Sequence, residues 1–291
     1  MNRPLRRCPR PILAAAALVL AMLAACQIRP HPIEYDVYVP TPQRVVDEML
    51  RLAEVGPGDH VIDLGSGDGR IVLTAVTRHG AQGFGVDIQE PLVARANESA
   101  ARLGVADRAN FRRQDLFDTD FSAASVLTLY LLPRTLDRLV GKLEAELRPG
   151  TRVVSHDYGI AGWRPDDIVT FEDTEKVALA GFPTVRLLLY RVPARVAGRW
   201  RLALPPELAP EPLALELRQQ WQDLSARAYA GERRLRVEQV AVRGTELSFA
   251  LRLPGGQRAE FRGQVDGDAA HGTVEAGGTT AAWHAARLRG S

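Results

Sequence analysis

The stretch Val61-Ile-Asp-Leu-Gly-Ser-Gly-Asp-Gly69 constrains this chain more than any other. An apolar run reaches Asp63 and then breaks into glycines at Gly65, Gly67 and Gly69, and Arg70 to His79 behind it carries a helical pattern. Strand, glycine turn and helix in that order form a nucleotide-binding layout, because glycine lets the backbone turn sharply and lie close to a ligand. The next strand, Gly83-Phe-Gly-Val-Asp87, ends on an acid. A carboxylate there can accept hydrogen bonds from both hydroxyls of a ribose.

Two cofactor classes use this layout, the nicotinamide or flavin dinucleotides and S-adenosylmethionine (SAM). The dinucleotide fingerprint wants Gly-x-Gly-x-x-Gly. Here the spacing is Gly65-x-Gly67-x-Gly69 with Asp63 before it, which resembles the SAM-binding motif of class I methyltransferases. That resemblance implies an α/β, Rossmann-like first domain, assigned to residues 32–192, with SAM as cofactor.

The remaining units alternate as a doubly wound sheet requires. Leu92–Leu103 reads as helix, Ala109–Arg113 as a short strand, Ser125–Tyr130 as a strand buried on both faces, Pro133–Leu147 as helix and Thr151–Ser155 as the fifth strand. Thr41 reads as an N-cap with Pro42 at the first helical position, and Val45, Val46, Met49, Leu50 and Ala53 mark the buried face of the helix behind them. Thr174–Leu179 and Val185–Tyr190, separated by Gly181-Phe-Pro183, read as an antiparallel pair, which the resemblance to class I methyltransferases implies lies at the sheet edge. Trp163 is either a cover for the pocket or ordinary packing. Past a proline-rich boundary the helical periods vanish. Short strands punctuated by Gly244, Gly255-Gly256, Gly267 and Gly277-Gly278 predict a second domain over residues 195–291, an antiparallel all-β sandwich or small barrel.

Three blocks in order carry a narrower likeness: Tyr38-Val-Pro-Thr-Pro42, Asp63-Leu-Gly-Ser-Gly-Asp-Gly-Arg-Ile71 and Tyr130-Leu-Leu-Pro133. Over roughly residues 35–160 they resemble the ATP synthase c-subunit lysine methyltransferase family and its bacterial homologues. The resemblance implies that Asp63, Gly65, Gly67, Gly69 and Asp87 bind SAM, that Asp115 lies near the adenine, and that Tyr38 and Thr41 close the methionine end. It implies methyl transfer to a lysine amine of a protein. A small-molecule or lipid acceptor stays open, as does a non-catalytic protein that keeps the fold. The long C-terminal extension departs from the eukaryotic members, so the substrate does not carry over.

Methyl transfer from a sulfonium to an amine asks mainly for positioning and desolvation. The lysine must first lose its proton, from a reference pKa near 10.4, and an apolar, aromatic-walled channel favours that loss. Tyr130, at the ligand-binding end of its strand, is the first candidate to line such a channel, and Tyr38 the second. His156 and Asp157 lie at the end of the fifth strand. A base with its orienter is one reading of them; residues that shape the pocket is the preferred one.

Of 37 basic residues only two are lysines, Lys142 and Lys176. Residues 1–25 hold four arginines and no acid, so the remainder carries 33 basic against 35 acidic residues. That balance argues against a broad nucleic-acid surface. Cys8 and Cys26 are the two cysteines, and the six histidines have no zinc-like spacing, so no metal is expected. Arg3–Arg10, the apolar Pro11–Ala25 and the closing Leu23-Ala-Ala-Cys26 have the order of a secretory signal peptide over residues 1–26. The last four resemble a bacterial lipobox. A lipid anchor on Cys26 and a cell-envelope location, with the outer membrane as destination, are the resulting expectations; a cytoplasmic or inner-membrane-anchored protein is the alternative. Export would separate the chain from cytoplasmic SAM. Oligomeric state is not readable.

Overall fold

A computed structural model describes residues 38–288 of the 291. The leader with Cys26, and the chain up to Val37, lie outside the described residues. The first half alternates apolar strands with amphipathic helices. Its strands are β1 (His60–Leu64), β2 (Gln82–Asp87), β3 (Ala109–Arg113), β4 (Val126–Leu129), β5 (Arg152–His156), β6 (Asp167–Glu172) and β7 (Thr184–Arg191). They form one sheet in the order β3-β2-β1-β4-β5-β7-β6. The first five are parallel, and β7 runs antiparallel between β5 and β6.

Strand β4 is buried at every position and β1 at every position after His60, as expected of parallel strands covered on both faces. The covering helices are α1 (Gln43–Leu52), α2 (Arg70–His79), α3 (Glu90–Arg102) and α4 (Pro133–Glu146). Strand order reverses between β1 and β4, and a ligand crevice opens at the carboxyl ends of the strands beside such a reversal. The glycine turn leaves β1 at that end. On α4, Lys142 pairs with Glu146 while its ammonium lies 5.1 Å from the Phe121 ring centre.

Two local expectations are corrected. Thr41 does not cap α1. The first helical bond runs from Val46 N–H to the Pro42 carbonyl at 3.0 Å, which makes Pro42 the N-cap and leaves Thr41 one residue outside the ladder. Thr174–Leu179 is not a strand but the body of a helix, α5 (Thr174–Ala180). The Asp173 carboxylate accepts from Lys176 N–H at 3.1 Å and starts a run of good helix formers. The antiparallel partner of β7 is β6 instead.

The second half is all β, with β8 (Gly198–Ala203), β9 (Leu213–Gln220), β10 (Asp223–Ala230), β11 (Arg233–Leu235), β12 (Val237–Arg243), β13 (Glu246–Arg252), β14 (Arg258–Asp266), β15 (Ala269–Ala276) and β16 (Thr279–Leu288). Sheet order is β11-β10-β9-β8-β16-β15-β14-β13-β12. Nearly every neighbour is also a neighbour in sequence, the mark of an up-and-down meander. The two end strands, β11 and β12, follow one another in the chain, and β10 comes against β12, so the sheet closes on itself. Between the sandwich and the barrel left open by the sequence, this is the barrel. Its interior is filled: Phe249 stacks on Phe261 at 4.4 Å, Trp283 meets both edge-on, and Trp200 is 1% exposed.

The halves meet through a stack of two indoles. Trp163, in the loop after β5, lies 4.0 Å from Trp221 at an interplanar angle of 5° and also contacts Tyr190. Trp221 occupies the β9–β10 turn with φ +51°. Ala194 N–H donates to the Gly244 carbonyl at 2.7 Å and Arg164 pairs with Asp223 at 3.1 Å beside the stack. Trp163 is thus packing, as one of its two readings had it.

Candidate active site

The glycine turn is pinned to β2 by two backbone bonds, Gly65 N–H and Ser66 N–H both donating to the Val86 carbonyl at 2.9 and 2.8 Å. Asp87, at the end of β2, holds the turn from the other side. One carboxylate oxygen accepts from Gly67 N–H and the other from Gln89 N–H, each at 2.9 Å. Each oxygen keeps a further lone pair, so the carboxylate can shape the loop and still receive ligand hydroxyls. Gly67 has φ +53°, and a Cβ there would stand 2.3 Å from Cε2 of Tyr38. The tyrosine ring rests on bare backbone. At Gly85 a Cβ would come within 2.7 Å of both Phe111 and Ser66, so the strand behind the turn must be bare as well.

Tyr38, Thr41, Asp68 and Arg70 form one group over this turn. Arg70 pairs with Asp68 at 2.7 Å and donates to the Thr41 carbonyl at 2.8 Å, tying the lead-in segment to the start of α2. Thr41 is buried. Burial works to raise the Asp68 carboxyl, but the hydrogen bonds and charge of Arg70 outweigh it and hold that carboxyl below its ordinary value. Burial, and then the neighbouring Asp68 charge, raise the Tyr38 phenol. The Tyr38 hydroxyl and the Ser66 hydroxyl are both buried without a hydrogen-bond partner among the described residues.

Asp63, 2% exposed, accepts from the Thr128 hydroxyl at 2.8 Å. Burial pushes its carboxyl up to about 7; the Thr128 bond opposes the rise, while the Asp87 and Asp68 charges add to it. Asp115 caps the turn Leu116–Asp118 by accepting from Phe117 N–H at 2.9 Å. The structure gives it that turn role and places it just beyond the end of β3.

A second group lies at the ends of β4 and β5. Tyr130 stacks on His156, ring centres 3.9 Å apart and planes 28° from parallel. Burial, and then the Asp157 charge, push the Tyr130 phenol well above its ordinary value. His156 is fully buried, and neither ring nitrogen has a hydrogen-bond partner among the described residues. Burial drives its pKa down to about 4, the Asp157 charge opposing and Lys176 assisting, so the imidazole is neutral near pH 7. Orphaned buried polar atoms cost about 1–3 kcal/mol each. Asp157, at φ +65°, does not orient this histidine: its nearer oxygen is 3.6 Å from Nε2, too far for a hydrogen bond. The carboxylate belongs to Lys176, whose ammonium reaches its two oxygens at 2.7 and 2.6 Å and also donates to the Thr184 carbonyl. Lys176 is 1% exposed.

The structure therefore joins Tyr38, Thr41 and Gly67 in one group, couples Gly67 to Asp87, and sets Tyr130 with His156 in another. Sequence reasoning missed Arg70, Ser66 and Lys176. Only Lys176 left a local signal, the Asp173 cap that marks its helix.

The fit to an adenosyl cofactor rests on bare backbone at Gly67, a doubly anchored acidic carboxylate with free lone pairs, and a buried Ser66 hydroxyl without a hydrogen-bond partner among the described residues. Among the described residues no group of His, Cys, Asp or Glu could hold a metal ion. Fold and site together define a class I SAM-dependent methyltransferase.

Comparison with known proteins narrows the class. The family model described as "ANTKMT methyltransferase domain" matches residues 63–167. A "Protein-lysine N-methyltransferase" of Saccharolobus islandicus (strain REY15A) is 43% identical over 137 residues, 47% of this chain and 85% of that protein. The "Adenine nucleotide translocase lysine N-methyltransferase" of Mus musculus is 34% identical over 164 residues, 56% of this chain and 71% of that one. A crystal structure described as an RNA methyltransferase from Salinibacter ruber in complex with S-adenosyl-L-homocysteine is 48% identical, covering 52% of this chain and 93% of its own, with a TM-score of 0.46. The chain belongs to the family of these lysine methyltransferases, which are related to the ATP synthase c-subunit enzymes. The barrel lies outside the stretch that the family model matches.

The expectation of a signal-bearing, membrane-attached lipoprotein is corrected. The family model and the archaeal relative support the terms of a methyltransferase and lend no support to those of a signal peptide, lipid anchor or membrane attachment. Among the described residues no helix is long and apolar enough to cross a membrane. The leader reading rested on the order of residues 1–26 alone, a basic segment, a short apolar run and the four residues ending at Cys26, all of which lie outside the described residues.

Proposed function

We propose that this methyltransferase acts on a lysine amine of a protein substrate. The observation that carries the reading is the aromatic group where β4 and β5 end, Tyr130 half-buried against a neutral His156. A lysine must arrive there uncharged, and an apolar aromatic wall with no carboxylate free to hold its ammonium favours the neutral amine. Asp157, the nearest acid to that wall, is engaged by Lys176. The kinship with the archaeal "Protein-lysine N-methyltransferase" supports the same acceptor.

In this reading Asp63, Gly65, Gly67, Gly69 and Asp87 hold SAM, Asp115 lies beside the adenine, and Tyr38 and Thr41 close the methionine end. When bound, SAM supplies an electrophilic methyl group on a sulfonium. The protein's own part is to hold the glycine turn open through Asp87, to cover it with Tyr38, and to exclude water around Tyr130. Most of the rate then comes from orientation and desolvation. Residues 32–192 act as the methyltransferase domain and 195–291 as a separate β domain.

The test is incubation of the purified full chain with tritiated SAM and a total protein extract, then amino-acid analysis of labelled bands. Label in methyl-lysine is expected. Tyr130→Ala should lower turnover far more than Tyr130→Phe. Label confined to extractable lipid or small molecules would refute the acceptor, and unchanged turnover in both variants would refute the lining role.

A further inference from the structure

His156 presents a puzzle that the cofactor site does not solve. Its side chain is wholly buried, it lies one residue before a carboxylate that could have paired with it, and that carboxylate is clamped by another group instead. A neutral imidazole carries one ring nitrogen that accepts and one that donates, and here both go without a partner. Such orphans in a native interior call for an explanation, and a functional role is one of the few available. The imidazole packs face to face with Tyr130, the half-buried ring proposed to line the lysine channel. A phenylalanine would make the same stack with no orphaned atom.

We propose that His156 is the hydrogen-bond acceptor for the substrate amine, receiving an amine N–H when the Tyr130 ring turns off the imidazole to admit the lysine. This rests on the lysine reading above. The contact would fix the direction of the nitrogen lone pair, and no proton changes hands in it. The groups facing His156 are Tyr130 from the end of β4, Asp157 from its own strand end and Lys176 from α5. Since Asp157 and Lys176 neutralise each other, the imidazole is left as an uncharged acceptor.

His156→Phe and His156→Asn test this, with poly-L-lysine as the amine probe and three readouts: thermal unfolding, SAM binding by calorimetry, and tritium transfer. His156→Phe should unfold at a temperature higher by about 2–4 °C, bind SAM as the wild type does, and lose about tenfold or more in kcat. His156→Asn, which keeps an acceptor, should recover part of that loss. Wild-type turnover in His156→Phe would overturn the inference while leaving the lysine reading intact. Failure of the SAM-bound wild type to label poly-L-lysine or any other lysine-bearing protein would overturn both. If His156→Phe folds poorly, wild-type turnover in His156→Ala with SAM binding retained serves as the overturning result.

Discussion

Replacing Asp63 by Asn should make the cofactor-free protein more stable above neutral pH and a poorer binder of SAM. The wild-type carboxyl is fully buried, and burial moves it from 3.8 to about 7. Each pKa unit is 1.36 kcal/mol of differential interaction, so the shift corresponds to about 4 kcal/mol as an upper figure. The sign follows from proton linkage. Between pH 3.8 and 7 the folded state keeps a proton that the unfolded chain has released, so stability falls as pH rises through that window and stays low above it. Asn cannot titrate, and its amide oxygen can still accept from the Thr128 hydroxyl. The two proteins should therefore match near pH 4 and diverge to about 2–4 kcal/mol in favour of Asp63→Asn by pH 8. Urea unfolding at half-unit pH steps reads this directly, since every other titrating group is common to both and cancels. Parallel pH profiles would refute a buried, proton-linked Asp63. A stabilised variant that binds SAM as tightly as the wild type would refute its part in the cofactor site.

Three further outcomes are expected. Lys176→Met should destabilise by about 3–5 kcal/mol, because it strands the Asp157 carboxylate in the interior, and adding Asp157→Asn should recover much of that in urea unfolding. Gly67→Ala forces a side chain into φ +53° and onto the Tyr38 ring; left-handed backbone alone costs about 1–2 kcal/mol, and calorimetry should show SAM affinity falling about tenfold, with unchanged affinity refuting the contact. Trp221→Ala removes one half of the indole stack between the sheets and should cost about 3–5 kcal/mol. It should also speed proteolysis in the segment around residues 193–197, and an unchanged digestion pattern would refute the stack as the joint.

The fold was legible where a backbone requirement leaves a residue type behind. Positive φ in the turn after β1 demands glycine, so Gly65, Gly67 and Gly69 announce it. Strand alternation with glycine turns announced the barrel strands, because inward and outward positions differ in polarity. The choice between sandwich and barrel was not legible, since it depends on how the end strands meet. Thr174–Leu179 was misread as a strand because Gly181-Phe-Pro183 has the look of a turn before Val185–Tyr190, and the cap at Asp173 went unread. The Asp157–Lys176 pair joins residues on separate elements, and nothing in either's local sequence names the other. Asp63 was read as a cofactor residue from the resemblance, but its raised pKa reflects burial in the sheet. No sequence window contains that information.

The two lysines of this chain have a practical side. One is clamped inside the protein by Asp157, and the other is held by Glu146 over the face of Phe121. An enzyme so made offers itself almost nothing to modify. In a mixture with its targets, radioactive methyl groups will report on the targets with little self-labelling beneath them. Amine-reactive dyes and crosslinkers will take hold of it poorly, so tagging should go through a cysteine or an introduced lysine. Any lysine placed on its surface becomes a built-in reporter of whether a tethered amine can reach the site.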